Sequence, residues 1–228
     1  MKPYQQIAIA ECGEPLIPIP VDILAVVSPH PYQQLGADYG ARSPYMMRQS
    51  VVEKLIVAQN QLQQKLGWRL QIFDAYRPVE VQQFMVDHTY QELIQAQRLT
   101  ETELTGDQKQ AILKQVYEFW ATPSLDPATP PPHSTGAAVD LSIIDSMGEP
   151  VNMGSPIDEV SARSYPDYFA TSDNLIEQQY HLHRQILCEV MQFAGFVRHP
   201  NEWWHFCFGD QMWAWLTGNS TAIYGRME

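Results

Sequence analysis

His133 and Asp140 in the run PPHSTGAAVDLSI, together with His205 in NEWWHF, offer two imidazoles and a carboxylate. Two nitrogen donors and one oxygen donor form a three-point protein site for zinc, with a fourth position left for water. Glu202, three residues before His205, is a base able to take a proton from that water. On residue chemistry alone the chain reads as a zinc hydrolase.

The local patterns carry this unevenly. Six residues separate His133 from Asp140, and Gly136 between them lets the chain turn. Asp140 stands between Val139 and Leu141, and a carboxylate in an apolar strand is costly unless paired or metal-bound. An isolated histidine is more often a hydrogen-bonded residue than a ligand. NEWWHF reads equally as a Trp-rich core strand. In a regular strand Glu202 and His205 point to opposite faces, so they converge only if Glu202 lies in the loop before the strand or the strand is bulged. Arg77 in DAYRP precedes a proline, which keeps residue 77 extended. Its guanidinium can stabilise an oxyanion; the plainer alternative is a structural pair with Asp74. His181 and His183 fall two apart on a helix and face different ways. His30, His88 and His199 lack partners in sequence, although His199 lies close to Glu202. The three cysteines, Cys12, Cys188 and Cys207, are odd in number and widely spaced, which argues against thiolate ligation of zinc and against a disulfide framework. No thiolate–imidazole arrangement supports cysteine hydrolysis through Cys207 and His205.

The elements that must position these groups follow from periodicity. Residues 1–45, rich in proline and turns, predict an irregular N-terminal arm with a short strand near Val21–Val27. Residues 46–66 predict a helix stopped by Gly67, and Trp68–Tyr76 a strand with Leu70, Ile72 and Asp74 on one side. Pro78 opens a helix to about Gln97. The next runs from near Glu101 to Trp120; Thr100 and Glu103 have capping-box spacing, while Gly106 points to a start one turn later. The proline-rich run ATPSLDPATPPPH is a stiff loop ending at His133. Ala137–Ile144 reads as a buried strand and Asp145–Ser172 as turns. Leu175–Ala194 predicts a helix with a stripe of Leu182, Ile186, Val190 and Phe193. Phe196–His199 and Trp203–Phe208 read as two closing strands. Without regular βαβ alternation, this pattern predicts an α+β class: one domain over 1–228, with helices flanking a small, mainly antiparallel sheet.

At 228 residues, 45% hydrophobic and 11% aromatic, the chain can bury a sizeable core. A net charge of −12 argues against binding nucleic acid through phosphates. No stretch reaches the roughly 18 apolar residues that a membrane span needs. The first twenty residues lack a cationic region followed by an apolar core, so no signal peptide is expected and a cytoplasmic location is. Oligomeric state is not legible.

The segments DAYRP, HSTGAAVDL, MGSPIDEVSARS and EWWHF, in this order over about residues 70–210, resemble the zinc D-alanyl-D-alanine dipeptidases, relatives of the zinc D,D-carboxypeptidases and of the Hedgehog signalling domain. The resemblance implies that fold and one zinc ion per chain, bound by His133, Asp140 and His205. It implies Glu202 as general base, Arg77 as stabiliser of the transition state, and Asp158 as a holder of the substrate's amino group. The implied substrate is a small zwitterionic dipeptide, D-Ala-D-Ala, from cell-wall precursors. Family members often carry a serine two residues before the first histidine, where it helps bind substrate. Here Pro131 stands there, with no hydroxyl or N–H to offer, which bears on substrate preference and leaves the zinc ligands in place. Two rival readings remain: a D,D-carboxypeptidase trimming longer wall peptides, and a non-catalytic module in which zinc merely staples the fold.

Overall fold

The structure is a computed structural model and describes residues 2–227. Its centre is a five-stranded sheet in the order β3-β5-β6-β8-β7: β3 (Ala25–Val26), β5 (Arg69–Asp74), β6 (Ala138–Ile144), β8 (His205–Cys207) and β7 (Val197–Arg198). Only β3 and β5 run parallel within it. The mainly antiparallel sheet flanked by helices is the expected α+β architecture.

Residues 1–45 are more regular than their proline content suggests. They hold β1 (Ala8–Ile9), β2 (Leu16–Pro18), β3, the short α1 (Pro31–Leu35) and a 3-10 turn at Pro3–Gln6. β2 pairs with β4 (Met46–Arg48), so the helix expected from residue 46 starts three residues later, as α2 (Gln49–Leu66). Gly67 ends it in the left-handed conformation, φ 72°. In β5 the burial alternates, with Leu70, Ile72 and Asp74 inward. α3 (Val79–Ala96) starts after Pro78. α4 (Gly106–Phe119) begins one turn after the Thr100–Glu103 box, with Thr105 as its cap. α6 (Gln211–Thr217) and β9 (Thr221–Ala222), which pairs with β1, complete the chain.

α5 (Leu175–Phe193) forms where expected, but its inward face is rotated from the expected stripe and only partly overlaps it. Of the expected stripe Val190 is buried and Ile186 packs against the core, but Leu182 and Phe193 are exposed, and Arg184, Leu187, Cys188 and Met191 are buried in their place. The stripe was hidden in the sequence by a buried arginine. α2 and α5 pack on one face of the sheet over a core that includes Leu55, Leu62, Leu187 and Met191. α3 and α4 make a second cluster around Val86 and Val116.

Candidate metal centre and its pocket

Asp140 lies in β6 directly opposite His205 of β8, so both side chains leave the same face. On its other side Asp140 is opposite Asp74 of β5, because the register shifts by one residue between Ile72 and Asp74. Such an irregularity re-aims a side chain, and here it lines up Asp74, Asp140 and His205 across three neighbouring strands. Two adjacent carboxylates would repel. Arg77 Nη2 lies 2.8 Å from Asp74 and 3.1 Å from Asp140 and neutralises both.

His133 sits on a buried 3-10 turn, Pro132–Thr135, ended by Gly136 at φ 71°. A Cβ at 136 would run into Leu16, so only glycine fits. Two contacts stitch the turn to the DAYRP segment: Arg77 N donates to His133 O (3.3 Å) and Ser134 Oγ to Arg77 O (2.8 Å). His133 Nδ1 is 2.8 Å from the carbonyl of Ala75. A carbonyl only accepts, so Nδ1 carries the proton and Nε2 turns a lone pair inward.

That lone pair meets His205 Nδ1 at 3.2 Å and Asp140 Oδ2 at 3.2 Å, while His205 Nδ1 is 3.0 Å from Asp140 Oδ1. Two donors each about 2 Å from one tetrahedral ion stand about 3.3 Å apart. Among the described residues this is the one His/Cys/Asp/Glu trio that could hold a metal. A triangle rich in inward lone pairs fits an electropositive centre, so the donor set suits zinc. His205 Nε2 is buried and has no hydrogen-bond partner among the described residues. Cys207, on the same strand, packs with Tyr4, Ala138 and Met212 and is not part of the trio.

Glu202 precedes β8 in a turn, which removes the parity problem of the NEWWHF segment. His199 N donates to His205 O (2.9 Å) across the turn, and Trp203 and Trp204 are both 2% exposed. Burying two indoles, on the order of 5 kcal/mol each before entropy, anchors the turn from below. The Glu202 carboxylate returns to 3.8 Å from His205 Nδ1 and 3.4 Å from His199 Nδ1. Burial, then the nearby charge of Asp140, pushes its pKa well above the usual range. Burial holds His199 neutral, far below its ordinary value.

Arg77 makes the structural pair with Asp74 that was the plainer expectation for it. Nε bonds Asp74 (2.9 Å), Nη1 bonds Gln82 (2.9 Å) and Nη2 bonds Tyr32 and Asp140 (both 3.1 Å), leaving one Nη1 hydrogen uncommitted. Burial opposes its charge, but Tyr32, Asp74 and Asp140 keep it firmly protonated. Tyr32 then donates to Asp158 Oδ2 (2.8 Å), linking Arg77 to the carboxylate of the MGSPID segment. Asp158 has φ 65°, a left-handed strain unusual for a residue with a side chain. It keeps an opening to the pocket but is otherwise enclosed; burial, then Asp140, raises its pKa to about 7.

All six expected residues line one pocket of about 470 Å³, counting its open mouth. Pro132 lines it as well. Sequence reasoning missed Tyr32, His30 and Lys2. His30 Nε2 pairs with Asp74 (3.1 Å) and Tyr39 donates to the same oxygen (3.0 Å), so the N-terminal residues supply the support behind Arg77. The only available signal was HPY in a segment otherwise lacking periodicity.

A family model described as D-ala-D-ala dipeptidase matches residues 26–221. A D-alanyl-D-alanine dipeptidase from Synechocystis is 48% identical over 241 residues, covering 100% of this chain and 98% of that protein. One from Escherichia coli is 35% identical over 74 residues, covering 32% of this chain and 36% of the other. A solved vancomycin-resistance D,D-pentapeptidase in complex with Zn(II) has a TM-score of 0.45 at 16% identity, covering 95% of this chain and 96% of that one.

Proposed function

Because this chain belongs to the D-alanyl-D-alanine dipeptidase family of peptidases, we propose how its residues divide the hydrolysis of D-Ala-D-Ala. The protein is a zinc-dependent dipeptidase. The carrying observation is the meeting of His133, Asp140 and His205 within 4.8 Å of one another beside an enclosed Glu202.

His133, Asp140 and His205 hold one zinc ion per chain. When bound, zinc supplies a Lewis acid that acidifies water and polarises the scissile carbonyl. Glu202 takes the proton from the attacking water and delivers it to the leaving amine; a carboxylate made basic by burial suits both steps. Arg77, fixed by four hydrogen bonds, faces the oxygen on which negative charge develops. Asp158 pairs with the free ammonium of the dipeptide. A blocked or extended N-terminus leaves that enclosed carboxylate unpaired, so the site measures length.

The reading includes a cytoplasmic role in turnover of the D-Ala-D-Ala unit of cell-wall precursors. It is supported by three unpaired cysteines and by a chain in which no described helix is long and apolar enough to cross a membrane.

Metal analysis together with a panel of D,D-, L,D- and L,L-dipeptides tests the assignment. Glu202→Ala retains zinc and loses turnover by about 100- to 10,000-fold; undiminished turnover removes Glu202 as the base and favours a site that is structural there. Equal cleavage of N-acetyl-D-Ala-D-Ala removes the Asp158 anchor and favours a carboxypeptidase.

A further inference from the structure

The opposite end of the substrate carries a carboxylate, and one pocket group has the charge and freedom to receive it. We propose that Lys2 binds the α-carboxylate of the dipeptide and, with Asp158, makes the enzyme read both charged ends of its substrate; this rests on the dipeptidase reading of the pocket.

Two cations, Arg77 and Lys2, line the pocket. The charge of Arg77 is already met by Asp74 and Asp140 at 2.8 and 3.1 Å. Lys2 Nζ has one long contact, 3.4 Å to the carbonyl of Trp120, and among the described residues no carboxylate lies within salt-bridge distance of it. An ammonium has three hydrogens to donate, so Lys2 retains most of its capacity. Its surroundings are partly dry: burial lowers its pKa, with the charge of Glu202 acting the other way. A half-buried, under-partnered cation facing a cavity attracts an anion.

The segment bearing Lys2 is held in place. Lys2 N donates to Gln5 Oε1 (2.8 Å), Tyr4 is 5% exposed in a cluster with Met212, and the Pro3–Gln6 turn packs on α6. The placement also fits: Lys2, Glu202 and Asp158 all line the same pocket. A dipeptide with its ammonium at Asp158 and its carboxylate at Lys2 presents the amide nitrogen to Glu202. The departing residue is the one that bears the carboxylate, so Lys2 holds the leaving group where Glu202 protonates it.

The test compares D-Ala-D-Ala with D-alanyl-D-alanine amide, which lacks the terminal charge, on the zinc-loaded full chain. The variants are Lys2→Met, Lys2→Gln and Lys2→Arg, with Tm and metal content measured alongside. Expected is a wild-type preference for the acid of about 30-fold in kcat/KM, expressed mainly in KM. Both neutral variants lose about that factor on the acid and stay within about 2-fold of wild type on the amide, and Lys2→Arg keeps most of the preference. Calorimetric binding of free D-alanine weakens in parallel, while that of D-alaninamide does not. Equal losses on acid and amide, or no loss on the acid, overturn the anchor. A wild-type protein that cleaves D-Ala-D-Ala alongside neutral Lys2 variants that keep the full preference for the acid overturns this inference alone; a zinc-loaded wild type inert to D-Ala-D-Ala overturns the dipeptidase reading beneath it.

Discussion

The two halves of the pocket are built by different means. Asp140, His205 and Asp74 stand on three hydrogen-bonded strands, and the fourth member of that half, His133, is pinned by the carbonyl of Ala75 and the backbone of Arg77. Asp158 stands on an irregular segment and belongs to no strand. That segment is gathered by Arg184 of α5, fully buried, which donates to the carbonyls of Met153 (2.7 Å), Arg163 (2.9 Å) and Tyr165 (2.9 Å) and to Ser155 Oγ (3.1 Å). Among the described residues Arg184 has no carboxylate partner, and burial followed by the nearby Arg198 and Arg163 lowers its pKa to about 10. Trp203 ties the halves together: its N donates to Ser164 O (3.1 Å) and its Nε1 to Ser155 Oγ (2.9 Å). The half with the proposed metal ligands therefore draws its geometry from repeated backbone bonds, whereas the Asp158 half is gathered by side chains, Arg184 foremost.

The contrast can be broken in graded steps. His205→Ala removes a donor the sheet cannot replace; zinc content falls away and kcat/KM drops roughly 1,000-fold or more, measured by metal analysis and steady-state kinetics. Asp74→Asn leaves the three donors in place but weakens the support of Arg77 and His133. Its expected cost is about 10- to 100-fold in metal affinity or kcat. Arg184→Met acts on the other half: about 10-fold in kcat/KM, carried by KM, with unchanged zinc stoichiometry and about 3 kcal/mol lost in denaturant melts. If Arg184→Met released zinc as readily as His205→Ala, the two halves would not be separable.

The smallest effect concerns protons. The carboxyl of Asp158 titrates near pH 7 in the folded protein and near 4 when unfolded. Between these values the folded state holds more protons, so this group's contribution to stability falls as pH rises from about 4 to about 7. In chelator-treated protein, Asp158→Asn removes that slope. The variant gains about 1–2 kcal/mol over wild type at pH 8 and nothing at pH 4, after allowance for the side open to the pocket. Melts at the two pH values check the sign; an equal gain at both would point to packing instead.

Chemistry was more legible in the sequence than packing. The carboxylate of Asp140 among apolar neighbours, the glycine after His133 and the Glu202–His205 pair named the metal half, because each departs from what an ordinary strand tolerates. β5, α3 and the late start of α4 were legible through alternation, Pro78 and capping spacing. The inward face of α5 was not, since Arg184 occupies a core position that hydrophobic periodicity assigns to an apolar residue. Tyr32, His30 and Lys2 come from residues 1–45, where proline obscures any period, and each acts on a group at least 44 positions away.

Residue types and short spacings by themselves determined which groups can bind a cation, move a proton or carry a fixed charge, since those properties belong to the side chain and its near neighbours. Tertiary structure alone decided which of them meet. The one-residue shift between β5 and β6 brings Asp74 beside Asp140, and the turn before β8 swings Glu202 back to His205. Convergence across distant segments depends on strand register and loop closure, and these are set by the packing of the whole core.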